Sequence, residues 1–244
     1  MDRLVALSQT SSELRQDFYP PIELDENGTY AVALYSLTTY NSIPNIVENE
    51  NDRFYFYIES EPGRPSSPIK LSYVQIPEGG YEIDSIASYL TNALKEKNIK
   101  LEMKANLNTI KVEFMCSTYV SFKEEKNVGN VLGFSSKLMA CKPNILHASD
   151  MPVCISNVNE INVDLNIAES SSYRNGLKSH TIFSFGVDVA PGYRLAIRPN
   201  NLIFLPIRIK RIDNITVRLV DQCGKLVNFR GEEISIQLHI KRLY

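Results

Sequence analysis

The sequence predicts a mainly β chain, a β-sandwich or jelly roll that carries one α+β stretch with a single main amphipathic helix. Segments of alternating apolar and polar residues recur at intervals of roughly ten to twenty residues, as in all-β sandwiches. Helices do not alternate with strands, which argues against a parallel α/β architecture. The length of 244 residues suits one large all-β domain, or one domain with an insertion, and allows a sizeable core.

The N-terminal residues 1–17 are polar and irregular, with clustered serine and glutamine. They predict an N-terminal arm at 1–17, either a poorly ordered terminus or an arm that reaches a neighbouring subunit. A jelly-roll domain is predicted to follow at 18–244.

The first strands of that domain are marked by their turns. Residues 19–24 are predicted to be extended, because proline fixes its own φ and biases its predecessor towards β. Asn27 and Gly28 form a turn signal, since this pair adopts positive φ at little cost. The strands predicted before the helix lie at 30–37, 53–58 and 69–76.

A helical period begins at Tyr81. Apolar residues then recur at three- and four-residue spacing and form one face of an amphipathic helix: Ile83, Ile86, Ala87, Leu90, Ala93 and Leu94. A hairpin is predicted after it, with strands at 101–105 and 109–114. We therefore expect an α+β stretch at about 67–140, either inserted in the jelly roll or packed against it.

The second half of the chain has only the strand period. Its predicted strands lie at 162–167, 181–185, 202–206 and 212–220, then one that opens at Leu226 and one at 234–240. This run of strands completes the predicted jelly roll.

The charge balance disfavours a nucleic-acid partner. The chain has 26 basic and 28 acidic side chains, whereas dedicated nucleic-acid binders are usually basic. The basic residues Arg208, Lys210 and Arg211 are best explained as the protection of an edge strand by charge. No apolar stretch approaches the ~20 residues of a membrane helix, and the first residues lack the apolar core of a secretory signal. No membrane partner is expected.

The cysteines are predicted to be free thiols made in a reducing compartment. Cys116, Cys141, Cys154 and Cys223 form no Cys-x-x-Cys pair, and their density is far below that of a disulfide scaffold. Paired disulfides are the alternative. The N-glycosylation motif at Asn214 would matter only in a secreted chain.

The sequence offers no constellation for catalysis. His147, His180 and His239 are far apart, whereas a zinc site needs several convergent ligands. The acidic pairs at 124–125 and 232–233 are typical of solvated edges. We predict no catalytic, cofactor-binding or metal-binding residues, no cofactor and no enzyme activity. A β-sandwich hydrolase built from two distant carboxylates stays open as an alternative.

Several short segments resemble a known family. They read YNSIPN at 40–45, IPEGGYEIDSI at 76–86, VGNVLGF at 128–134, PGY at 191–193, NLIFLP at 201–206, VDQCG at 220–224, FRGEEI at 229–234 and LHI at 238–240. Together they span nearly the whole chain and resemble the capsid-type proteins of Maverick/Polinton elements and the related adintoviruses. The size is similar to that of their penton, the minor capsid protein with a single jelly roll.

This resemblance implies assembly and not catalysis. It implies a structural capsid protein of the virion, made in the host cytoplasm, with the nucleus as an open alternative for the site of assembly. Its partners would be itself, as a homopentamer at capsid vertices, and the major capsid protein of the same particle. The alternative function is a carbohydrate- or receptor-binding β-sandwich, such as a spike or lectin-like module.

Overall fold

The structure, a computed structural model, describes residues 2–59, 69–136, 141–169, 172–174 and 176–243. The chain divides into two compact units. The first unit combines residues 1–43 with residues 158–244, and the second unit consists of residues 44–157. Along the chain, the second unit therefore interrupts the first.

The elements are numbered along the chain. The first unit opens with β1 (Arg3–Gln9), β2 (Glu13–Glu23) and β3 (Tyr30–Tyr40). The second unit holds β4 (Arg53–Glu59), β5 (Ile69–Gln75), α1 (Ile83–Lys95), β6 (Leu101–Asn106), β7 (Lys111–Cys116), β8 (Val120–Ser121), α2 (Gly129–Leu132) and β9 (His147–Ala148). The first unit resumes with β10 (Ile161–Leu165), β11 (Ser172–Arg174), β12 (Leu177–Ser179), β13 (Thr181–Phe185), β14 (Arg194–Ile197), β15 (Leu205–Ile207), β16 (Arg211–Val220) and β17 (Ile234–Arg242).

The first unit is a jelly roll of two antiparallel sheets. The first sheet has the order β1-β17-β3-β14, with β15 also paired to β3, and the second has the order β13-β10-β16-β2. Apart from the steps from β10 to β13 and from β14 to β15, consecutive strands of this set cross from one sheet to the other, as in two interlocked Greek keys. The predicted fold class, a mainly β jelly-roll sandwich with an inserted or appended α+β stretch, is confirmed.

Alternating strand positions build the core of this unit. Ile236, Leu238 and Ile240 point inwards from β17, and Ile215, Val217 and Leu219 do so from β16. Each side chain of this kind contributes about 1.5–3 kcal/mol when it is fully buried. The intervening residues face outwards, so the alternation fixes which face of each sheet remains free to contact other molecules.

The predicted irregular arm at 1–17 is wrong. The residues of β1 pair one by one with β17, from Arg3 opposite Ile240 to Gln9 opposite Ile234, and residues 13–17 belong to β2. Val5, Leu7 and Leu14 are buried in the core. The sequence hides this strand because only two apolar residues mark its inward face, while the apolar Leu4 lies at an outward position and blurs the alternation.

The second unit contains two three-stranded sheets, β5-β4-β8 and β6-β7-β9, together with both helices. The predicted helix is confirmed at Ile83–Lys95, and it buries Ile83, Ile86, Ala87, Leu90 and Leu94. The acidic Asp84 in its first turn and the basic Lys95 in its last turn both favour the helix dipole.

The second unit has its own aromatic core. Phe122 stacks on Phe134 with a centroid distance of 4.5 Å, and Phe114 meets Phe134 edge-on at 5.3 Å. Phe54 and Phe56 of β4 are fully buried in the same cluster. Since this core is separate from that of the jelly roll, the unit satisfies its apolar side chains by itself.

Two boundaries differ from the prediction. The second unit starts at residue 44 and ends at 157, beyond the predicted limits of about 67–140. The earlier start arises because β4, whose alternation fits a jelly-roll strand equally well, pairs with β5 and β8. Residues 67–68 and 137–140 of the predicted stretch lie outside the described residues. The predicted strand at 202–206 is also displaced, since β15 begins only at Leu205.

Candidate functional site

The histidines serve local structure. His147 Nε2 lies 3.0 Å from the carbonyl oxygen of Lys142, and His180 Nδ1 lies 2.9 Å from that of Ala168. His239 Nε2 lies 3.6 Å from a carboxylate oxygen of Asp2. Within the described ranges, no group of three or more His, Cys, Asp or Glu side chains could hold a metal ion.

All four cysteines are free, as predicted. Cys116 and Cys141 are buried in the second unit, whereas Cys154 and Cys223 are exposed. Burial raises the pKa of the Cys141 thiol to about 11, and it also raises the pKa of Cys116. The two buried thiols therefore stay protonated at neutral pH and act as small apolar side chains.

The second unit has an open groove of about 420 Å³ that contains two carboxylates. It is lined by Thr91, Leu101, Glu102, Met103, Lys104, Glu113, Met115 and Leu146. Hydrogen bonds from Asn106 and Lys104 lower the pKa of Glu113, whose carboxylate lies 3.3 Å from Lys104 Nζ. A glycosidase acid needs the opposite shift, so Glu113 is not suited to that role.

The basic residues at 208–211 contact neighbouring residues of the same chain. Arg208 pairs with Glu169, Arg211 Nε lies 2.9 Å from Asp213, and Lys210 Nζ donates a hydrogen bond of 2.6 Å to the carbonyl of Gly28. The predicted edge strand is wrong, because residues 208–210 connect β15 to β16, and β16 lies inside the second sheet. Phosphate binding would have to break these contacts.

The outer face of the second sheet is charged and internally hydrogen-bonded. Arg218 Nε lies 3.3 Å from Glu13, and the hydroxyl of Thr181 donates to Asp164 at 2.6 Å. Ser184 donates in the same way to Asn162 at 2.7 Å. These side chains satisfy one another across the strands, so this face is suited to solvent or to a polar partner.

The outer face of the first sheet has a different character. The outward side chains in the middle of this sheet are small or uncharged across four strands, and we call them the uncharged face: Leu4, Ala6, Ser8, Ser36, Thr38, Ala196, Ser235 and Gln237. The charged residues Arg194 and Lys241 lie at the ends of the face. Leu4 is 63% exposed, although its inward neighbour Val5 is buried. Loss of charged residues from the middle of a surface is the compositional mark of a protein interface.

An aromatic corner borders the uncharged face. The ring of Phe204 lies 5.3 Å from that of His239, and the ring of Tyr35 lies 6.5 Å from it. Lys241 Nζ lies 5.6 Å above the ring of Phe204. Sequence reasoning missed this face. The available signal was the run of small residues at alternating positions, which becomes a surface only when the strand order is known.

The strand order and the position of the second unit define the class: a single jelly-roll protein with an α+β unit inserted between its third and fourth jelly-roll strands. No protein-family model and no curated protein sequence matches the chain. The described helices include none that is both long and apolar enough to cross a membrane.

A solved structure with the same fold is the penton protein of mavirus. It is 9% identical in sequence, and the match covers 100% of this chain and 100% of that chain with a TM-score of 0.51. The D2-D3 domains of the flagellar cap protein FliD from Escherichia coli align over 99% of this chain and 100% of theirs, at 10% identity. Their TM-score of 0.22 is too low to bear on the fold. The chain thus has a penton-like fold.

Proposed function

We propose that the chain is a structural capsid protein, penton-like, that assembles into a homopentamer at capsid vertices. The observation that carries this proposal is the match to the mavirus penton over the full length of both chains. Such a match includes the inserted second unit as well as the jelly roll, and a jelly roll alone would be compatible with many functions.

The uncharged face supports self-association. A ring of identical subunits needs a heterologous contact, in which one surface of a subunit meets a different surface of the next. The two outer faces of the jelly roll differ in this way, since the middle of one has no charged side chain and the other carries charged side chains such as Arg218 and Glu13. We assign the uncharged face of one subunit to the contact with its neighbour.

The remaining parts of the proposal rest on the family resemblance of the sequence. They are an origin in Maverick/Polinton elements or adintoviruses, a location in the virion, and the major capsid protein as the second partner. A structural role, without enzyme activity, agrees with the structural capsid protein that shares the fold.

Size-exclusion chromatography with light scattering, followed by electron microscopy of the purified chain, tests the proposal. We expect particles with five times the monomer mass of 27.7 kDa and rings with fivefold symmetry. A chain that stays monomeric at high concentration and is absent from purified particles would overturn the capsid assignment. Rings of another symmetry would overturn the pentamer alone.

A further inference from the structure

The three-stranded sheet β5-β4-β8 carries a row of tyrosines on its outer face. Tyr55 of β4 lies opposite Tyr73 of β5, with ring centroids 5.6 Å apart. Tyr57 meets Tyr119, which directly precedes β8, at 6.5 Å. We call Tyr55, Tyr57, Tyr73 and Tyr119 the tyrosine platform. Tyr73 and Tyr119 are the more open pair, at 44% and 40% exposed.

The platform is held rigid from below. Phe54 and Phe56 alternate with the platform residues along β4, and both are fully buried in the core of the second unit. A strand fixed in this way cannot rotate its outward side chains into the core. The rings therefore stay on the surface, and a ligand would meet them already in place.

The rings form a corner with polar edges. The planes of Tyr57 and Tyr119 are 86° apart, so the two rings are nearly perpendicular. The hydroxyl of Tyr55 donates to the carbonyl of Glu125 at 3.2 Å, and Arg53 lies 4.6 Å from the centroid of Tyr73. Aromatic faces attract the polarised C–H groups of a sugar ring, while hydroxyl and guanidinium edges can bond its hydroxyl groups.

The charge at the platform favours a neutral ligand. Arg53 of β4 is a charged residue that contacts the platform tyrosines. Its Nε lies 3.8 Å from the buried carboxylate of Asp52. The local charges therefore compensate each other. An anionic ligand would gain little from a guanidinium that already faces a carboxylate.

The size of the platform favours a sugar over a protein as its ligand. Three strands span about 10 Å, and the distance along β4 from Arg53 to Tyr57 is about 14 Å, which gives roughly 140 Å². A stable protein interface needs about 800 Å² on each partner. A surface of this size and composition fits a short oligosaccharide.

We propose that the tyrosine platform is a binding site for a neutral oligosaccharide, with one sugar ring packed on Tyr73 and another on Tyr119. This site lies in the second unit and does not depend on the capsid role proposed above. A chain that fails to assemble could still bind sugar, and a capsid protein could still lack the site.

Saturation-transfer-difference NMR on the full chain tests the site, with lactose, N-acetyllactosamine, chitotriose and mannotriose as separate probes. We expect at least one of these sugars to receive saturation through the C–H groups of one ring face. Tyr73→Ala and Tyr119→Ala should each weaken that binding about tenfold or more, since each removes a stacking surface. Tyr73→Phe should retain most of the binding, because it keeps the ring.

Tyr193→Ala is the matched control, since Tyr193 is 68% exposed and belongs to the first unit. It should leave sugar binding unchanged. The proposal is overturned if none of the four sugars binds, or if the platform variants bind like the wild type. It is also overturned if those variants bind no less sugar but lose self-association, because the platform would then be a contact between copies.

Discussion

Gly133 and Gly192 share a left-handed backbone but differ in the space around them. Their φ angles are 81° and 82°. A Cβ at Gly133 would lie 2.3 Å from the carbonyl oxygen of Met151 and 2.9 Å from that of Pro152, whereas nothing lies within 4 Å of one at Gly192. Gly133 therefore ends α2 and also allows the segment at 151–152 to pass close by.

This contrast predicts that a Gly→Ala substitution lowers the free energy of unfolding by different amounts at the two positions. Gly192→Ala should cost about 1 kcal/mol, the strain of a left-handed residue with a side chain. Gly133→Ala should cost a further 1–3 kcal/mol or so, because the backbone at Met151 must move. Urea unfolding of both variants measures the difference, and equal losses would contradict the close approach at Gly133.

The cysteines make a second prediction at this scale. Only a thiolate reacts quickly with an alkylating reagent, and the raised pKa of about 11 keeps Cys141 protonated at pH 8. Cys116 shares this direction and is also buried. Iodoacetamide at pH 8 should therefore modify Cys154 and Cys223 in the folded chain, and all four cysteines in denaturant. Peptide mass spectrometry identifies the sites, and fast labelling of Cys141 in the native protein would contradict this burial.

Strand β1 is the element whose role the structure changes most. An arm would tolerate substitution, whereas an edge strand of the first sheet is needed for the core. Leu7 is 3% exposed and Leu4 is 63% exposed on the same strand. Leu7→Ala should therefore cost about 2–5 kcal/mol, and Leu4→Ala should stay within about 0.5 kcal/mol of the wild type. Thermal and urea unfolding compare the two variants. A negligible loss of stability in Leu7→Ala would support an irregular N-terminal arm instead of a strand.

The elements differ in how well their sequences reveal them. Helix α1 could be predicted because its five buried residues repeat over more than three turns, so the period is unambiguous. Strand β1 could not, because its seven residues include only Val5 and Leu7 as buried apolar side chains. The sequence predicts strand β4 as a strand but places it in the wrong unit. Alternation indicates that one face of a strand is buried, but it does not indicate which element that face packs against.

At the scale of the whole molecule, long-range pairing decides what the sequence leaves open. The side chains of Ser8 and Glu233 form a hydrogen bond although 225 residues separate them. Because β1 pairs with β17, small residues from the two ends of the chain form one surface with those of β3 and β14. No local pattern contains that surface, and the uncharged face therefore follows only from the fold.

The uncharged face gives the last prediction, which rests on the proposed assembly. Ala6→Lys places a charge on the edge strand of this face, opposite Gln237, where the side chain points away from the core. The fold should persist, but an unpaired charge buried between two subunits costs several kcal/mol, so the ring should dissociate. Light scattering should then report monomers. Thr109→Lys, in the exposed turn between β6 and β7, adds the same charge in the second unit and should leave the ring intact. If Ala6→Lys forms rings as stable as those of the wild type, the subunit contact lies elsewhere, even if the chain is a capsid protein.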